Sequence, residues 1–194
     1  MQPSKAWTIK EPQISARGAK SCTILNSLSD KVIFNLGIAE QPTRSPFGAT
    51  SFGDEEAVRK TIEFDLDETQ ELSFTLFDNW AINYLKEHSE QIFKKQMSRE
   101  EVVNVYKSPV SKKADYKGHL RCKIRTQGQY AARCWNTKGE RIDMPHDLRN
   151  IPLCPRIHAS HLWMMSREVG WVFHVTDLQI GDLVDACPFS TDLL

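Results

Sequence analysis

His119-Leu-Arg-Cys-Lys-Ile-Arg125 alternates without a break. Side chains on a strand have a period of two, so Leu120, Cys122 and Ile124 point one way and His119, Arg121, Lys123 and Arg125 point the other. One face can join a core, and the other becomes a positive stripe. The stretch lies in a longer basic block, residues 107–141. There, ten bases (Lys107, Lys112, Lys113, Lys117, Arg121, Lys123, Arg125, Arg133, Lys138 and Arg141) stand against two acids, Asp115 and Glu140. The excess of eight positive charges sits in a chain of 194 residues whose net charge is zero. A stripe of this kind is the electrostatic footprint of a surface that tracks a phosphate backbone.

The balancing charge is also clustered. Residues 54–78 hold nine acids (Asp54, Glu55, Glu56, Glu63, Asp65, Asp67, Glu68, Glu71 and Asp78) and two bases, Arg59 and Lys60. Asp177, Asp182, Asp185 and Asp192 follow near the end of the chain without a base among them. Charge asymmetry along a chain points to nucleic-acid contact. The two blocks can also simply face one another in the fold, and the sequence leaves both readings open.

Composition is that of a globular domain, 40% apolar and 26% charged, and its length is enough to bury a core. No apolar run approaches the roughly 20 residues that span a bilayer, and the start, Met1-Gln-Pro-Ser-Lys-Ala-Trp7, lacks a signal-peptide core. An intracellular protein with no membrane partner is the expectation. The five cysteines (Cys22, Cys122, Cys134, Cys154 and Cys187) are scattered without CxxC pairs and read as reduced, mostly packed thiols.

Working outward, Tyr130–Asn136 reads as a strand that forms a hairpin with His119–Arg125 across Thr126-Gln-Gly-Gln129. Cys22-Thr-Ile-Leu-Asn26, the stretch 31–37 and Lys60-Thr-Ile-Glu-Phe-Asp-Leu66 are further strands, with a Pro- and Gly-bearing loop over 38–53. Between residues 67 and 95 the period changes. Phe77, Trp80, Ala81, Tyr84, Leu85, His88 and Ile92 recur at three- and four-residue steps, which predicts an amphipathic helix capped by Asp67 or Thr69. Ser98 and Glu101 have capping-box spacing and open a second, short helix. Residues 156–165 and 169–180 form a closing hairpin, with Trp171, Phe173 and Val175 on one side. The fold class is mainly β with an inserted helical segment, either an α+β domain or a small barrel. We divide it into an N-terminal arm (1–21), a nucleic-acid-binding domain (22–180, helical insertion about 67–106) and a mildly acidic C-terminal tail (181–194).

Strand alternation places Arg133 and Trp135 on one face of their strand. In a regular hairpin they would join Arg121, Lys123 and Arg125, so that phosphates meet the cations and a base stacks on the indole. Lys112, Lys113 and Lys117 form a basic loop beside them, and Phe47 and Phe52 are further stacking candidates. Trp135 can instead plug the core, and the two phenylalanines can cap it. Cys154, His158 and His161 suggest zinc by residue type. On a strand, however, His158 and His161 point to opposite faces, and no second pair completes a site. No Gly-rich phosphate loop, Ser-His-Asp signature or HExxH is present. No catalytic residue, metal or cofactor is therefore expected.

The succession of 31–37, Ser45-Pro-Phe-Gly48, an alternating strand, Asn79-Trp80 and the closing His161-Leu-Trp-Met-Met-Ser-Arg-Glu-Val-Gly-Trp-Val-Phe-His-Val-Thr-Asp-Leu-Gln-Ile180 resembles the single-stranded DNA-binding proteins of giant DNA viruses. These are distantly similar to phage replication single-stranded DNA-binding proteins with an OB-fold. The resemblance implies an OB-like five-stranded barrel with an interposed helix. It implies a non-enzymatic protein that binds single strands without strong sequence choice in replication, recombination or repair. It also implies an acidic tail that recruits replication enzymes, and here the tail departs from the pattern, since it ends Asp-Leu-Leu with Phe189 well inside it. RNA binding by the same surface, and a protein-interaction module that self-associates as a homodimer, are the alternatives.

Overall fold

The computed structural model describes residues 7–14, 20–26, 28, 30–51, 57–113, 116–165 and 168–181. Along the chain, β1 (Thr8–Ile9) and β2 (Gln13–Ile14) lie antiparallel on β3 (Lys20–Leu25). A turn follows in which Asn26 Oδ1 accepts the amides of Leu28 and Asp30, each at 2.9 Å, and it leads into β4 (Val32–Asn35). β5 (Ala49–Thr50) pairs with β6 (Arg59–Asp65). The helical segment is α1 (Glu68–Glu87), α2 (Ser89–Phe93) and α3 (Arg99–Val105). Short strands β7 (Tyr106–Lys107) and β8 (Val110–Ser111) precede β9 (His119–Arg125), and β10 (Arg133–Trp135) precedes β11 (Arg141–Ile142). The chain then makes its longest strands, β12 (Leu153–Met165) and β13 (Glu168–Ile180), 13 residues each.

The β12–β13 hairpin is the axis of the sheet. β3 and β4 pair antiparallel with opposite halves of β12. The far edge of β13 takes β7, β9 and β10 in parallel, and β9 runs antiparallel to β6 over a seven-residue register. The order β1-β3-β12-β13-β9-β6-β5 is open at both ends, and no five-stranded barrel closes among the described residues. Strand length explains the difference. A 13-residue strand spans roughly 40 Å, long enough to carry short partners end to end, so the sheet spreads sideways.

One face is closed by α1. Asp67 Oδ1 accepts the Gln70 amide at 2.8 Å and Gln70 Oε1 accepts the Asp67 amide at 2.9 Å, a reciprocal cap. Ser98 and Glu101 repeat the arrangement at α3. α1 buries Phe74, Phe77, Ala81, Ile82 and Leu85. The Phe77 ring lies 5.4 Å from Trp171 and 5.7 Å from Phe173, and Phe74 lies 5.9 Å from Phe173, all in edge-on contacts. Leu120, Cys122 and Ile124 of β9, Ile62 and Phe64 of β6, and Ile157, Ala159 and Leu162 of β12 complete this core. The helix expected through residue 95 breaks at His88. There the buried Ser89 hydroxyl accepts the Met97 amide at 3.0 Å and turns the chain back.

The expected hairpin between His119–Arg125 and Tyr130–Asn136 does not form. β10 is only three residues long and pairs with β11, across a turn containing Gly139 at φ +78°, and with β13. A backbone bond, Ala132 N to Arg125 O at 2.8 Å, ties the residue just before β10 to the end of β9. Gly128, at φ +82°, helps turn the intervening segment past the end of β9 towards the distal part of β13.

Candidate nucleic-acid interface

The face of the sheet opposite α1 carries the polar side chains of the alternating strands. On β9, Arg121 and Arg125 are exposed and Lys123 is half-buried, as the alternation predicts. Their neighbours on β6 come from the acidic block: Arg59 lies opposite Arg125, Thr61 opposite Lys123, Glu63 opposite Arg121 and Asp65 opposite His119. At one end of this ladder the two charge blocks therefore meet. Arg121 Nε is 2.8 Å from Glu63 Oε1, and His119 Nδ1 is 3.0 Å from Asp65 Oδ1. Lys112 pairs with Glu71, whose other oxygen accepts the Gly118 amide at 2.6 Å. Lys112 and that amide hold the Glu71 carboxyl below its ordinary value.

At the other end, Arg59, Lys123 and Arg125 have no carboxylate partner among the described residues. Lys123 Nζ donates to Thr61 Oγ1 at 2.6 Å, and the Arg125 guanidinium lies 5.8 Å from the Tyr130 ring centre. Burial, then the charges of Arg59 and Arg121, lower the Lys123 ammonium below its ordinary value. This end of the face is a concentration of positive charge.

The next strands extend it. In the parallel ladder His174 of β13 sits beside Lys123, and in the hairpin it lies directly opposite His158 of β12. Strand parity would turn His161 away from His158, but a register shift between Ala159 and His161 inserts one extra residue and restores it to the same face. The rings of His161 and His174 are 6.4 Å apart, and Arg59 Nη2 lies 3.5 Å from His174 Nε2. Burial first, and neighbouring cations second, keep all three imidazoles below their ordinary values, His174 down to about 4. Among the described residues no three His, Cys, Asp or Glu side chains are placed to hold a metal ion. Two residues beyond His161, the Trp163 indole is half-buried opposite Gly170. A Cβ at position 170 would stand 2.9 Å from Trp163 Cζ2, so the missing side chain is what lets the indole lie against the β13 backbone.

The other expected residues are distributed around this face. Arg133 Nε is 2.7 Å from Asp177 Oδ1, and Trp135 Nε1 donates to the same oxygen at 3.1 Å. The guanidinium carbons of Arg133 and Arg141 lie 5.9 Å and 5.7 Å from the Trp135 ring centre. Trp135 is thus half-buried and held in place, lining an open cleft of about 320 Å³ with Asn35, Cys154 and Gln179, rather than standing beside Arg121. Lys113 and Lys117 are exposed in the loop before β9, and Phe47 is 58% exposed, its ring 6.5 Å from His119. Phe52 lies outside the described residues. The sequence reading did not assign Arg59, His174 or Trp163 to the interface, and it weighed His158 and His161 only as zinc ligands. Counting back from the closing turn pairs Trp163 with Gly170 and was an available signal, whereas the bulge that gathers the histidines leaves no mark in the sequence.

No family model matches the sequence, and no curated protein matches it. Among solved structures, the fold is similar to that of gp2.5, a single-stranded DNA-binding protein encoded by bacteriophage T7. The TM-score is 0.52 at 12% identity, over 84% of this chain and 98% of that one. The single-stranded DNA-binding protein from bacteriophage Enc34 in complex with ssDNA has a TM-score of 0.44 at 8% identity, over 94% and 95% of the two chains. The T7 likeness meets the phage side of the sequence resemblance at the level of fold, and the structures named here do not extend it to the giant-virus side.

Proposed function

We propose that the chain binds single-stranded DNA with little sequence preference, in support of replication, recombination or repair, in the manner of the phage and giant-virus proteins that its sequence resembles. The observation that carries this reading is the open sheet face. Arg59, Lys123 and Arg125 stand there without carboxylate partners among the described residues, and the Trp163 indole lies against the β13 backbone at Gly170. Cations that track a backbone, with an aromatic surface for the bases, suit a single strand and are indifferent to its sequence. The fold of a phage single-stranded DNA-binding protein supports the same reading.

Lys112, Arg121 and Arg133 extend the path. Each has a carboxylate partner that is mostly buried, but the cation itself is about half exposed or more. Its exposed side can meet a phosphate while the ion pair is kept. Lys113 and Lys117 continue the path along the loop, and Trp135 and Phe47 flank it. In this proposal residues 22–180 are the binding domain, 67–106 its helical insertion, 1–21 an arm, and 181–194 a tail that meets replication enzymes.

The test is titration of a labelled oligo-dT at low salt, with matched RNA as competitor. We expect saturable binding that a mixed-sequence DNA oligomer matches and RNA does not outcompete. Charge reversal at Arg59 or Lys123 should weaken every sequence alike, and a changed sequence preference instead would contradict the phosphate assignment.

A further inference from the structure

Three imidazoles share the centre of the open face, and what surrounds them is unusual for a merely structural cluster. From β6 they meet Arg59. From β9 they meet Lys123, beside His174 in the ladder, and Arg125. Lys31, ahead of β4, acts on His158, and Arg156 lies two residues before it on β12. Within their own hairpin they meet one another, and Ser160 Oγ lies 3.0 Å from His161 Nδ1. The carboxylates of the neighbouring ladder, Glu63 and Asp65, are turned to Arg121 and His119. Every charged group that acts on the three rings is thus a cation, among the described residues. His158 Nε2 is buried without a hydrogen-bond partner. A cluster of imidazoles among cations, on a face that no helix covers among the described residues, is electrostatically suited to an anion.

We propose that His158, His161 and His174, with Arg59 and Lys123, form a phosphate site for the bound strand that takes up protons as the DNA settles on it. The inference rests on the single-stranded DNA reading and adds a linkage that this reading does not require. In the free protein, half-burial and neighbouring positive charge both oppose protonation of the rings. A phosphodiester brings a negative charge into the same space and reverses that balance. Each imidazolium formed can then donate a charge-assisted hydrogen bond to a non-bridging oxygen. Because the bound state holds more protons than the free state, affinity must rise as pH falls.

The experiment measures oligo-dT affinity at constant ionic strength from about pH 8 to about pH 6, the range in which histidine responds. Calorimetry in buffers of different ionisation heat counts the protons taken up. The wild-type chain should bind roughly tenfold more tightly at the lower pH, as an average uptake of about half a proton across those two pH units gives. The combined His158→Gln, His161→Gln, His174→Gln variant should lose the rise, binding no more tightly at the lower pH than at the higher. His174→Arg, which carries a fixed charge, should bind more tightly than wild type at the higher pH with a reduced slope, and it serves if the triple variant does not fold. Binding that is flat with pH, or a triple variant that keeps the full slope, overturns the inference and leaves single-stranded DNA binding standing. Absence of binding at every pH removes both.

Discussion

Trp163 and Trp135 have the same chemistry but different neighbours, and the neighbours decide what each indole can do. Trp163 lies against the backbone at Gly170, while Trp135 is tied to Asp177 and bordered by two guanidinium groups. Trp163→Ala should therefore weaken oligo-dT binding by about 1–3 kcal/mol, the usual worth of a stacked base, and titration should show a larger loss than Trp135→Ala gives. The suitability of Trp135 was legible in the sequence. Its partner was not, because Asp177 reaches it through a parallel pairing 42 residues along the chain. The histidines carry a second consequence at this scale. His174 is held down to about 4, so the fold favours its uncharged form. Stability from this source is complete above the ordinary histidine value and is lost as pH falls from there towards about 4. Thermal unfolding of the free chain should show a falling Tm across that window, with a shallower fall in His174→Gln.

Elements whose rule is local were readable from residues alone. β9 and β6 announce themselves by alternation, the caps of α1 and α3 by Asp67 and Ser98, and the closing hairpin by two alternating runs around a short turn. The aromatic face of α1 is core, as its spacing predicts. Phe77→Ala should cost about 3–5 kcal/mol, as truncation of a large buried aromatic does, and Asp67→Ala about 1 kcal/mol through the lost cap. Denaturant unfolding measures both, and a Phe77→Ala cost no larger than that of the cap would contradict the packing described. Elements fixed by distant partners were not legible. β10 looked like the partner of β9 because it follows it in sequence, but the long edge of β13 offers a pairing that no local pattern reports. The bulge in β12 is of the same kind, since it shifts His161 by one position without any glycine or proline to signal it.

For the whole molecule, the neutral total charge conceals a polarity that the fold partly cancels and partly exposes. The acidic and basic blocks meet at the Glu63–Arg121 end of the β6–β9 ladder, as one reading of the sequence allowed, and they separate at the Arg59–Arg125 end. The sheet is open, with α1 on one face and the cations, histidines and Trp163 on the other. Binding that rests on this face must be electrostatic, so it must release counterions. The most direct test is the affinity for oligo-dT across a salt series. The logarithm of affinity should fall linearly with the logarithm of salt, by about 0.7 for each phosphate neutralised on a single strand. Arg59→Glu with Lys123→Glu should flatten that slope. No binding at low salt, or an affinity indifferent to salt, would contradict the account.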